Sequence, residues 1–414
     1  MDLKFWPSLQ LIAYARVARG ILFTFDLEIL KRDFMYEGRI NQSFGQHIEE
    51  RVSAISVPLF EATFKQLKFK SSKSTDQHSY LPIPNKIQKQ LVGVVLALRL
   101  EIASWFNSHG EITAFIANFD VCSTLSWYST GIIDRFETAR VLIRNENLDI
   151  VVRLYFACQY HFVEDAQMIY TKMTGYGEIP FPIHVLRSIH TSYRLNELKI
   201  GFTRIMNSKQ WLRLFEKIIS QEGMGEDRIS RERFIQNCMG IRFFFNRLNG
   251  ERMKYLCLFF CLKLKGIHHY DLYSCLSEMN AEELNDIVTR LPQEELYRIF
   301  ESFSCWPFQI MFLDVVNRFR TLVTKDIFLD LLCLIIHKLG RQWRDYPYEE
   351  ILKDLWKAFS SQYGKYVEED ETLNGITKYV IEAPIPFNIE DFLNVINRCD
   401  TLKIRILKYF CFFW

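Results

Sequence analysis

The stretch from Leu125 to Met173, LSWYSTGIIDRFETARVLIRNENLDIVVRLYFACQYHFVEDAQMIYTKM, constrains the fold most. It reads as three short helices in a row, each too small to bury its own apolar face. Ser129 and Thr130 precede Gly131 and can cap a helix start. Phe136, Ala139 and Ile143 then recur at spacings of three and four, which is one helix face. Asn145-Glu146-Asn147 breaks the pattern, with Asn147 placed to cap the next helix and Leu148, Val151, Tyr155 and Cys158 along its stripe. His161-Phe162 marks a second turn, and Ala166, Ile169, Tyr170 and Met173 form a third face. Short helices separated by short breaks are the units of helical solenoids, in which stacked neighbours supply the burial that each lacks alone.

The rest of the chain repeats this theme. Pro7-Ser8 opens a helix from Leu9 to Arg19, ended by Gly20, and a second runs from about Leu22 to Met35. Glu37 to Gly45 reads as a loop, followed by helices at His47–Ile55 and Pro58–Lys68. Residues 70–85, KSSKSTDQHSYLPIPN, are polar, hold two prolines and show no helical period, so they read as a linker. The long helix Lys86–Asn107 carries Leu91, Val94, Val95, Leu98, Ile102 and Trp105 on one stripe. Beyond Met173, helical segments continue to the end. They include Glu251–Leu264, His268–Met279, Ala281–Arg290, Pro292–Phe303, Pro307–Phe319, Thr324–Leu339 and Tyr348–Ser361. Gln362–Asn374, with the acidic run Glu368–Glu371, reads as an acidic loop. The segment from Asn147 loosely echoes that from Asn249: each is an aromatic, cysteine-bearing helix, a turn with His, and a helix ending in Met.

The predicted fold is therefore all-α: stacked helical hairpins in an α-solenoid-like array. Residues 1–120 form an N-terminal helical region with the linker at 70–85, and residues 121–414 form the repeat array. A chain of 414 residues exceeds the roughly 250–300 of one globular core, so it is expected to form two domains or an open-ended stack. Gly and Pro are scarce, which suits helices better than a turn-rich β protein. The ten cysteines lie mostly within apolar helical patterns and lack the spacing of a secreted disulfide scaffold, so a reducing, cytoplasmic setting is expected. The apolar stretches Leu91–Phe106 and Ile327–Leu339 are interrupted by charge and fall short of the roughly 20 apolar residues of a membrane span.

Several features carry the resemblance of this chain to a known group. They are the Ser126-Trp127 start, the Thr-Gly-x-x-Asp-Arg step at 130–135, Thr138-Ala139-Arg140, the Asn-Leu-Asp-Ile run at 147–150 and the N-terminal Pro7-Ser8-Leu9-Gln10. In these it resembles a family of uncharacterised arthropod helical-repeat proteins known chiefly from arachnid genomes. The resemblance implies an ankyrin-like or related α-solenoid and no established activity. The Thr-Pro-Leu-His motif of true ankyrin repeats is missing, so the inference stays at stacked helices.

Motifs for chemistry are sparse. The densest metal-type set is Cys257-x3-Cys261 followed by His268-His269 and Cys275; the two thiols share a helix face, but Leu256, Leu258, Phe259 and Phe260 surround them and the spacing matches no standard zinc module. Core packing is the preferred reading, and neither metal nor cofactor is expected. The chain holds no G-x-S-x-G elbow, no H-E-x-x-H and no phosphate-binding glycine loop, so it is read as non-enzymatic. The expected function is a protein–protein interaction scaffold or adaptor whose partner is an unknown protein or peptide. Trp127, Tyr176 and Trp343, in turns, are the candidate contact aromatics. The alternative is an RNA- or anionic-lipid-binding protein using the basic cluster Lys65, Lys68, Lys70, Lys73, Lys86 and Lys89 around the linker, although a net charge of +2 gives no global basic field.

Overall fold

A computed structural model describes residues 3–24, 42–58, 80–82, 84–109, 124–160, 162–174, 241–246, 248, 250–263, 267–341, 343–383, 388 and 391–392. These residues are mostly helical, as the sequence pattern requires. The first half holds α1 (Leu9–Leu22), α2 (Gln42–Ser53), α3 (Asn85–Ser108), α4 (Arg135–Arg144), α5 (Ile150–Gln159) and α6 (Val163–Thr174). The second holds α7 (Ile241–Phe245), α8 (Glu251–Lys263), α9 (His269–Ser277), α10 (Ala281–Arg290) and α11 (Gln293–Phe303). A 3-10 turn at Phe308–Met311 leads into α12 (Phe312–Arg318), then α13 (Lys325–Gly340), α14 (Tyr348–Glu368) and α15 (Glu371–Glu382). One small antiparallel sheet pairs β1 (Ser56–Pro58) with β2 (Tyr80–Pro82), with Ser56 opposite Pro82. Pro58, expected to open a helix to Lys68, ends β1 instead, and Tyr80–Pro82 of the expected linker forms β2; residues 59–79 between them lie outside the described residues.

Buried apolar side chains form two clusters. The first gathers α1, α2, α3 and α4–α6 and takes in one distant residue, Trp306. The second gathers α7–α15 and takes in Leu3 from the N-terminus, with Phe5 packed against it. The boundary placed at residue 120 thus runs through the first cluster, because α1 and α3 share it with α4–α6. Helices α1 and α2 pack on α3, and α4, α5 and α6 pack in succession, as do α13, α14 and α15. The two echoing segments pack differently: α5 lies on α6, the next helix along, whereas α8 packs chiefly on α10 and α11.

Several local expectations are corrected. Ser129 and Thr130 cap no helix. Residues 126–134 form a tight bridged turn in which Trp127 pairs with Ile133, Tyr128 N–H donates to the Ile132 carbonyl (2.8 Å) and Asp134 N–H to that of Ser126 (2.8 Å). Gly131 sits there at φ +82°, and a Cβ on it would come within 2.8 Å of Leu98 on α3. Asp134 is the cap of α4, accepting from Glu137 N–H at 3.0 Å. Asp149 rather than Asn147 accepts from the first turn of α5, at Val151 N–H (2.8 Å). Gly20 does not end α1, which runs on to Leu22. Pro307–Phe319 splits into the 3-10 turn and α12.

The largest correction concerns the acidic run. Gln362–Asn374 is not a loop: α14 continues to Glu368, Asp370 caps α15 through Leu373 N–H (3.0 Å), and Glu371 lies in the first turn of α15. Leu355, Phe359, Tyr363 and Val367 recur every four residues into the core, which extends the helix. Acidic side chains at a helix start are favoured by the positive end of its dipole.

Among the described residues, α3 alone is long and apolar enough to cross a membrane by length and composition, and two-thirds of its most apolar window is buried inside the fold. It meets the second half of the chain at Gly93. A Cβ there would stand 2.1 Å from the Arg344 carbonyl carbon and 2.2 Å from the Asp345 nitrogen, both backbone atoms that cannot swing aside. Gly93→Ala is therefore expected to destabilise the protein by at least about 3 kcal/mol. Gly20→Ala, exposed in α1 with nothing within 4 Å of the new Cβ, should stabilise it by about 0.5–1 kcal/mol. Urea unfolding of the two variants beside the wild type checks both signs; a Gly93→Ala midpoint equal to wild type would contradict the close approach.

Candidate functional site

A group of buried polar side chains lies where the two clusters meet. Glu101 is on α3, in helical register with Leu98 and Trp105, and is 4% exposed. An isolated carboxylate at such a depth is costly unless it is hydrogen-bonded and charge-balanced. Glu101 has both kinds of support. Its Oε2 lies 3.0 Å from His268 Nε2, and its Oε1 accepts from Ile133 N–H at 3.3 Å. Burial pushes the Glu101 carboxyl up, but the pull and the hydrogen bond of His268, together with Arg135, outweigh it and hold the group at about 2.

His268 precedes α9 and acts as its cap: Nδ1 accepts from Tyr270 N–H at 3.3 Å. That contact assigns the ring proton to Nε2, which donates to Glu101. His269 stands beside it, with ring centroids 4.0 Å apart. Burial first, and then the neighbouring His268, press its pKa well below the usual value, so it is neutral. It bonds to the Trp306 backbone carbonyl, and its Nε2 is buried with no partner. One donor atom from each of Glu101, His268 and His269 falls within 4.8 Å of the others.

Around this core the junction is laced together by further polar contacts. Arg135 on α4 donates to Ser104 Oγ (2.9 Å) and Ser108 Oγ (3.1 Å) on α3. Asp271 in the first turn of α9 is buried, and burial pushes its carboxyl up against the pull of His268, Arg135 and Arg242. Trp306 Nε1 donates to the Thr130 carbonyl at 2.8 Å. Tyr128 and Tyr270 stack at 4.8 Å, and Arg242 donates to the Tyr128 hydroxyl at 2.7 Å. Nearby in the first cluster, His109 bridges the Trp105 carbonyl and the Tyr160 hydroxyl (2.8 Å); burial and Arg135 depress it to about 3, so it too is neutral. Glu101–His268 is a carboxylate–imidazole pair, but the second nitrogen of His268 faces a backbone N–H rather than a nucleophile.

The residues singled out in the sequence divide among several places. Of the thiol set, Cys257, Cys261 and Cys275 are buried in the second cluster and form no disulfide. Burial pushes the Cys275 thiol well up, as for a packed thiol rather than a thiolate ligand. His268 leaves that set and meets Glu101, 167 residues earlier, a separation from which no motif could be read. Trp127 is half-buried against the first cluster, 6.2 Å from the Phe23 ring. Trp343 packs on the second cluster with the Lys338 ammonium 4.9 Å from its ring. Lys86 and Lys89 are exposed in the first turns of α3. Lys65, Lys68, Lys70, Lys73 and Tyr176 lie outside the described residues.

No family model, curated protein or solved structure matches the chain.

A second buried polar cluster lies at the foot of α13. Lys338 Nζ donates to the Ser304 carbonyl (2.8 Å) and lies 3.3 Å from the Tyr348 hydroxyl, while Gln309 Nε2 donates to Asp345 Oδ2 at 2.6 Å. Asp345 is 1% exposed and its Oδ1 has no partner. Burial raises its carboxyl to about 6, with Lys338, Tyr348 and Gln309 pulling the other way. An acid whose pKa is higher folded than unfolded favours folding most below its unfolded value, near 3.8, and that contribution is lost as pH rises to about 6. Asp345 is thus expected to remove on the order of 3 kcal/mol of stability between about pH 4 and 6. Asp345→Asn should flatten that part of the stability profile in urea titrations, and an unchanged slope would contradict the assignment.

Proposed function

We propose that this chain is a non-enzymatic interaction scaffold, a solenoid-like stack of helices that presents a docking surface to a protein partner. The observation that carries this reading is an exposed apolar strip that starts at Trp6, just before α1, and runs along the outer face of that helix. Trp6 is 82% and Leu9 85% exposed, and Ala13 and Val17 continue the stripe at four-residue spacing. The opposite face of the same helix, with Tyr14, Ala15, Ala18, Ile21 and Leu22, is buried. A helix with apolar residues on both sides is one whose second side suits a partner. The succession α13, α14, α15 and the run α4–α6 support stacking of consecutive helices. Buried cysteines outside any disulfide support a reducing, cytoplasmic setting.

A second reading, recognition of RNA or an anionic lipid surface, draws on Lys86 and Lys89, exposed where the positive end of the α3 dipole adds to their charge. One capture experiment separates the two. Tagged wild-type and Trp6→Ser/Leu9→Ser chains are compared for recovered protein, with and without nuclease. Nuclease-resistant partners recovered at least about tenfold less by the double variant are expected. Equal recovery by both chains removes α1 as the docking face, and recovery that collapses with nuclease or moderate salt transfers the function to the lysines.

A further inference from the structure

We propose that Glu101, His268 and His269 bind one divalent transition-metal ion of the zinc class, which staples α3 to the start of α9. Three features point there together. The donor set, one carboxylate and two imidazoles, suits zinc-class ions rather than magnesium or calcium, which take oxygen ligands. The Glu101 Oε2 to His268 Nε2 distance of 3.0 Å approaches the about 3.3 Å that separates two ligand atoms around a tetrahedral zinc. Above all, His269 Nε2 is buried without a partner while its ring is held from the other side by the Trp306 backbone. A second-shell carbonyl of this kind fixes the tautomer and aim of a metal-bound histidine.

Binding changes little else. The widest separation among the three donor atoms is within 4.8 Å, so the side chains close on the ion by about an ångström. His268 moves its proton from Nε2 to Nδ1, exchanging its 3.0 Å hydrogen bond to Glu101 for a shared ion and giving up the long 3.3 Å contact from Tyr270 N–H. A water molecule completes the shell. Arg135, an opposing charge close by, is already occupied with Ser104 and Ser108. The role is structural: the ion crosses from one apolar cluster to the other and adds its binding free energy to the docking of the two.

The test uses the full chain, stripped of metal, with Co²⁺ as the optical probe and Zn²⁺ as competitor. The expected result is one Co²⁺ per chain with visible ligand-field absorption, no near-ultraviolet thiolate band, displacement by Zn²⁺, and a higher melting temperature with Zn²⁺ than with chelator. His269→Phe, which keeps an aromatic ring against His268 and Phe308, should weaken Co²⁺ uptake at least about tenfold. Wild-type chain that takes up no stoichiometric Co²⁺ overturns the proposal whatever the variant does. So does uptake equal in wild type and His269→Phe, or a strong thiolate band, which would move the ion to Cys257 and Cys275.

Discussion

The burial of the Glu101 carboxylate governs how the halves of this molecule meet. Helix α3 is the spine of the first cluster, and its length and apolar stripe require that it be covered on most sides. Placing an ionised acid at 4% exposure on that helix demands donors from whatever covers it. Those donors come from Ile133 in the bridged turn and from His268 at the start of α9. Apolar packing alone would tolerate many relative positions of two helical layers. A buried carboxylate with directional partners tolerates few, because any slip leaves a charge without a hydrogen bond.

The same surface is tightened by absences of side chain. Gly93 lets α3 lie directly on the backbone of residues 344–345, and Gly131 lets the bridged turn lie on Leu98. Both glycines sit where two parts of the chain come closer than a Cβ allows. Arg344 adds an ion pair to Glu49 on α2 at 2.9 Å, so the strip after α13 contacts two helices of the first cluster. Asp345, next to it, is tied inward to Gln309 and Tyr348. Residues 344 and 345 therefore face opposite ways, one to each cluster.

How much of this was legible beforehand follows from the range of each interaction. Helix periodicity is local, so α10 was read from Ala281 to Arg290 as it stands, and the stripe of α3 from Leu91 to Trp105 is the buried face. Ends were less secure, because caps are decided by one residue: Ser8 was identified, while Asp134 was passed over for Ser129 and Thr130. The run Glu368–Glu371 misled because charge density suggested a loop, when two helix termini meeting at Asp370 accommodate the same charges. The Glu101–His268 contact had no sequence signal, since nothing local marks Glu101 off from any other charged residue in an apolar helix. What was visible was only the anomaly itself, Arg99 and Glu101 within an otherwise apolar run, and such an anomaly implies a partner without naming it.

The segment before α1 shows how the junction bears on recognition. Leu3 is buried in the second cluster, Phe5 packs there with its ring 5.1 Å from that of Phe308, and Phe5 N–H donates to the Tyr273 hydroxyl at 2.7 Å. Three residues later Ser8 caps α1, whose inner face belongs to the first cluster. The short span between is thus anchored at both ends, one end in each cluster, and Trp6 stands exposed within it. An aromatic on a loose terminus must be ordered by its partner at an entropic cost, whereas one held between two fixed points is presented ready for contact. The stripe Trp6–Leu9–Ala13–Val17 can therefore act as a single rigid surface only while the two clusters keep their relative position. Its fitness for binding is then linked to the buried carboxylate on α3, because the contacts that hold Glu101 also hold the clusters that anchor Trp6.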